Sequence, residues 1–131
     1  MSTITEDFVS FEVAQLLKKK GFNEPCYMYY DNKGDISGKY INPDIPFNYS
    51  SVPYYLCPSQ SMVMKWLRQV YNICVTIYPD KENRYEAVLY NIKDDVEIIL
   101  QSFGIYGSHI FEDSYEEAVE AALKYSLENL I

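Results

Sequence analysis

The chain has 131 residues, 48% of them apolar and 23% charged, which excludes an intrinsically disordered polymer and gives one domain's worth of length, 1–131, able to bury a core without staples. The formal charge is −8, and it is unevenly spread: residues 1–93 balance ten acids with ten bases, while residues 94–131 hold nine acids and one base, Lys124. A surface of that sign repels phosphate backbones and argues against direct nucleic-acid binding; no stretch approaches the ~20 apolar residues needed to cross a bilayer, so no membrane role is expected.

In chain order, the first predicted element is a helix over residues 11–20. Ser10 is placed as its N-cap, with Val9 and Ala14 as a hydrophobic staple and Val13, Leu16 and Leu17 as its inner face. Lys18, Lys19 and Lys20 fall in the last turn, where the helix dipole favours cations. Gly21 suits the left-handed position after the helix, with Phe22 packing back on Leu17. "CYMYYDNKGDISGKYI" then reads as a hairpin: Cys26–Tyr30, turn chemistry at 31–34, and a return over Ile36–Ile41.

Residues 42–59, "NPDIPFNYSSVPYYLCPS", hold four of the six prolines and three of the fourteen tyrosines. Proline lacks an amide donor and pushes its predecessor toward an extended shape, so no regular element is predicted there. The segment is either a lid folded on the sheet edge or an exposed contact surface, and the sequence favours neither.

A second helix starts after Ser59 and places Met62, Val63, Trp66, Leu67 and Val70 on one face. A second hairpin follows, 73–79 and 84–92 joined by "DKEN". Residues 96–112 are rich in strand formers but broken by Gly104 and Gly107. "SYEE" at 114–117 is a capping box that opens the last helix, with Tyr115, Val119, Ala122, Leu123 and Leu130 inward and Glu117, Glu120, Lys124 and Glu128 outward. The predicted fold is α+β: a two-layer sandwich of three helices on a mainly antiparallel sheet of four or five strands, in the order α-ββ-α-ββ(β)-α.

The stretches "MVMKWLRQVYNICVTIYP", "SYEEAVEAALKYSLENLI" and "CYMYYDNKG" carry a resemblance. Over most of its length, least through 42–56 and 93–112, the chain resembles small proteins encoded in phages and mobile elements of gut Bacteroides-type bacteria. The resemblance implies a genomic setting and a role in host takeover or defence evasion. It implies no activity and no catalytic motif.

The residues themselves offer little reactive chemistry. Cys26, Cys57 and Cys74 form no C-x-x-C pair, and the start "MSTITEDFVSF" has neither basic flank nor apolar run; free thiols in a reducing cytoplasm are expected. His109 is the only histidine, so no metal site and no cofactor are predicted. "DNKGD" at 31–35 lacks the later ligands of a calcium loop and reads as a turn. The acid pairs at 94–95 and 112–113 flank turns or a helix start, where carboxylates are common.

The leading expectation is therefore a non-catalytic interaction protein that binds a host protein or a second copy of itself, as in a homodimer. Candidate contact residues are Tyr40, Tyr49, Tyr54 and Tyr55, with Glu117, Glu120 and Glu128 at the acidic end. Two alternatives stand beside it. One is an acidic DNA mimic using Asp94, Asp95, Glu97, Glu112, Asp113, Glu116, Glu117, Glu120 and Glu128. The other is a small thiol enzyme pairing Cys57 with His109.

Overall fold

A computed structural model of the chain describes residues 6–43, 53–98 and 110–131. The chain divides into two compact units, residues 1–60 and 61–131, each treated by itself.

In the first unit, α1 (Phe11–Lys19) begins where the Ser10 hydroxyl accepts the Val13 amide at 3.2 Å. It ends in a Schellman motif: Gly21 takes φ +82°, its amide reaches the Lys18 carbonyl at 3.3 Å, and the Phe22 amide reaches Leu17 at 3.0 Å. Val13, Ala14, Leu17 and Phe22 are buried. β1 (Cys26–Asp31) pairs antiparallel with β2 (Ile36–Ile41). Their turn is held by the Asp31 carboxylate, which accepts the Lys33 and Asp35 amides at 2.8 and 3.0 Å. Those two donors, Asp35 first, lower its pKa below the usual carboxylate range. Gly34 turns the chain at φ +88°, and a Cβ there would lie 3.0 Å from the Phe11 ring.

A third strand, β3 (Tyr54–Leu56), pairs antiparallel with the other edge of β1, with Tyr30 opposite Tyr55. It occupies a stretch predicted to be irregular. Pro53 and Pro58 flank it and confine it to three residues, too short for alternation to show. The chain then stays packed. Cys57 and Pro58 are fully buried, the Cys57 amide reaches the Met28 carbonyl at 3.0 Å, and Phe8 bridges Ser59. The Tyr30 hydroxyl donates to the Val9 carbonyl at 2.7 Å.

The helix α2 (Gln60–Tyr71) starts at the boundary between the units, and its residues from Ser61 onward belong to the second. It buries Val63, Trp66 and Leu67, and the Trp66 ring meets Tyr71 edge-on at 5.1 Å. Val70, predicted inward, is exposed, because burial of this face stops before the helix's last turn. Asn72 at φ 60° reverses the chain into β4 (Ile73–Pro79), which pairs with β5 (Tyr85–Asn91) without register shift. Ile73, Val75, Ala87 and Leu89 form the buried face. Their turn is clamped by Arg84, whose Nε and Nη2 donate to Asp80 at 3.1 and 2.7 Å. β6 (Val96–Glu97) and β7 (Ile110–Glu112) both add to β5 at opposite ends, and Ala87 meets Ile110 in the buried layer.

α3 (Tyr115–Asn129) covers that layer. Its cap is as predicted, with the Ser114 hydroxyl accepting the Glu117 amide at 3.1 Å. Val119, Ala122 and Leu123 are buried as expected, joined by Ala118, Tyr125, Ser126 and Leu127. The Ser126 hydroxyl is satisfied by the Ala122 carbonyl at 2.8 Å. Tyr115, predicted inward, is exposed. From the first helical position its side chain leans back over the preceding turn, and its ring stands edge-on to Tyr85 at 6.1 Å. Leu130 is half-buried.

The α+β class, the three helices and the antiparallel hairpins are present. Among the described residues the strands form two sheets, of three and four strands, rather than the single sheet of four or five predicted. β3 completes the first and β7 the second, and neither three-residue strand carries a readable period.

Candidate functional site

In the first unit the residue types that usually carry contact energy gather at both edges of the three-stranded sheet. Met28 faces Gly38 but Cys26 faces Ile41, so β2 carries one residue more than β1 between these pairs. This bulge sets Lys39 and Tyr40 together opposite Tyr27. The Tyr27 and Tyr40 rings lie tilted at 5.0 Å and remain 72% and 52% exposed. Ile36, at the start of the same strand, is also exposed. The bulge and Lys39 interrupt β2 as an edge, which disfavours indiscriminate strand addition and leaves the rings as the contact feature.

At the other edge, α1 and β3 enclose an apolar cleft of about 140 Å³ lined by Ala14, Leu17, Phe22, Pro43, Tyr54 and Leu56, with Lys18 and Asn23 at its rim. The Lys18 ammonium donates to the Tyr54 carbonyl at 2.9 Å. It sits 4.8 Å from the Tyr55 ring centre and 5.7 Å from that of Tyr54. The lysine run that ends α1 thus supplies a fixed cation to this edge as well as a helix stop.

The predicted contact residues fall in different settings. Tyr40 is on the surface, and Tyr49 lies outside the described residues. Tyr54 and Tyr55 are half-buried in β3. Tyr55 meets Phe11 edge-on at 5.4 Å, and Tyr54 meets Tyr29 at 6.4 Å, so both contribute to packing. Glu117, Glu120 and Glu128 belong to the second unit, on the outer side of α3, where Glu128 pairs with Lys124 at 4.0 Å. Tyr27 was not singled out, because a strand tyrosine reads equally well as packing; it follows buried Cys26 in β1 and so faces outward. Lys18 was absorbed by its capping role.

Cys57, the thiol of the alternative paired with His109, is not exposed. The thiol is fully buried and lies 3.5 Å from the Val9 carbonyl, which leaves a substrate no approach. His109 lies outside the described residues. Burial first, then neighbouring Cys57 and Glu24, push the Cys26 thiol up to about 12, as for an inert core cysteine. Among the described residues no three His, Cys, Asp or Glu side chains are grouped to hold a metal ion.

The pair at 94–95 is tied into its turn. The Asp94 amide is held by the Asn91 side chain at 3.1 Å, and Asp95, at φ 57°, accepts the Tyr90 hydroxyl. That bond raises the Tyr90 pKa. Burial, with Glu117 and Asp113 nearby, raises the Glu112 carboxyl.

Comparison with protein-family models, with curated proteins and with solved structures finds no match to this chain.

Proposed function

We propose that this chain is a non-catalytic protein-interaction module, whose contact surface centres on the paired rings of Tyr27 and Tyr40. One observation carries the reading: two large aromatic side chains are held against each other by a bulge and left mostly in water. Tyrosine rings bring large area at low entropic cost and are enriched where proteins meet. The setting implied by the family resemblance, a phage or mobile-element accessory factor, makes a host protein the partner, acting in the cytoplasm. Self-association is the alternative within the same reading.

The test is capture from a lysate of a gut Bacteroides-type bacterium by the tagged chain, beside its Tyr27→Ser/Tyr40→Ser variant. The variant should melt within a few degrees of the parent, since exposed substitutions change stability by about 0.5 kcal/mol or less. It should lose a protein that the parent retains, or, for self-association, sediment as a smaller species. Identical captured sets and identical sedimentation would refute the surface.

A further inference from the structure

We propose that the cleft between α1 and β3 takes the bulky apolar side chain of a partner's C-terminal residue, with the terminal carboxylate on Lys18. The inference rests on the interaction reading above and names a partner chemistry for a second contact point of the same unit.

Size is the first argument. The cleft holds about 140 Å³, close to the ~150 Å³ of an apolar cavity that admits one benzene ring. One aromatic or branched side chain fills it, and a folded element does not. Its walls suit that occupant: Ala14, Leu17 and Phe22 are buried core residues, with Leu56 and Tyr54 opposite them. Binding there removes apolar surface from water on both partners without displacing a hydrogen-bonded group.

Charge is the second argument. The rim carries one cation, and it is already positioned. Tyr54 holds the Lys18 ammonium through its carbonyl, and the Tyr55 ring lies beneath it. An ammonium has three donors, and the Tyr54 carbonyl takes one of them. Among the described residues no carboxylate pairs with Lys18. A group held in place in advance loses less freedom on binding.

The anion this favours is a carboxylate. Lys18 is a single compact cation and no arginine fork lines the cleft, so the charge there matches one monoanion rather than a phosphate, and the ammonium must outweigh the partial negative charge of the helix end. In a C-terminal residue the side chain and the carboxylate leave the same Cα, which matches an apolar pit with a cation at its lip. The preceding residues, which carry no charge of their own, have a path along the shallow groove formed by Glu12, Gln15, Leu16, Lys18, Lys19 and Tyr55 beside it.

The test is an NMR titration of the full chain with the tetrapeptide Ac-Gly-Ser-Gly-Phe bearing a free C-terminal carboxylate, beside the same peptide amidated. The free acid should shift the amides of Leu17, Phe22 and Leu56 and bind about tenfold or more tightly than the amide. Lys18→Met, which keeps the apolar stem, should bring the acid down to the level of the amide, while Lys33→Met, in the β1–β2 turn away from the cleft, should leave the acid-to-amide preference in place. Asn23→Trp, at the exposed mouth, should weaken both peptides with the remaining spectrum unchanged. Equal binding of acid and amide, equal losses in the two lysine variants, shifts elsewhere on the chain, or no shifts at millimolar peptide would each overturn the proposal. None of those results touches the Tyr27–Tyr40 surface, which stands or falls on the capture experiment.

Discussion

Glu112 shows most clearly how one side chain records its surroundings. It sits in β7 opposite Tyr85, half-buried, with Asp113 beside it and Glu117 one turn into α3. Burial acts first and the two acids add to it, so its carboxyl titrates above the usual range. A folded-state pKa above the unfolded one means that the native state binds the proton more tightly. The native state is therefore penalised once pH has risen through the folded pKa, and the penalty vanishes below the unfolded value. Glu112→Gln should raise the melting temperature at neutral pH, by a degree or two on the scale of ~1 kcal/mol or less. The gain should disappear as pH falls through the carboxylate range, as a pair of melting curves at neutral and acidic pH would show. A gain that persists in acid would mean that the charge is not its cause.

The elements differ in how far they announce themselves, and the difference follows from length and punctuation. α1 carries a cap and a glycine stop, and both are realised: the Ser10 hydroxyl accepts the Val13 amide, and Gly21 takes positive φ ahead of the Phe22 amide bond to Leu17. The cap of α3 is equally legible. β3 is not, because its flanking prolines argue for irregularity, and what forms it is the free edge of β1, a tertiary fact. This changes what the tyrosines of residues 42–59 do. Tyr54 and Tyr55 were candidate contact residues, but Tyr55 packs on Phe11 and carries the Lys18 ammonium. Tyr55→Ser should therefore destabilise the protein by about 1–3 kcal/mol in urea unfolding, less than a fully buried aromatic and more than a surface change. An effect within error would return Tyr55 to the list of contact residues. The candidate site was half legible: Tyr40 was among the expected contact residues although strand packing explains it as readily, whereas Tyr27 needed its pairing with Tyr40 and Lys18 needed β3 to acquire a role.

For the molecule as a whole, the side chains of greatest chemical potential are spent on structure. Two of the three thiols are buried, the Asp95 carboxylate accepts the Tyr90 hydroxyl, and Arg84 pairs with Asp80 to close a hairpin. The first unit exposes acids, Glu6, Asp7, Glu12, Glu24 and Asp35, as well as lysines, and what stands out against them is the exposed ring pair of Tyr27 and Tyr40. That contrast is the basis for reading the chain as a contact protein. The most direct test is tyrosine nitration followed by peptide mass spectrometry, on the free chain and on the captured complex. Tyr27 and Tyr40 should be nitrated rapidly in the free chain and protected in the complex, while the buried Tyr125 stays unreactive in both. Tyr27 and Tyr40 equally reactive with and without the partner would contradict the account.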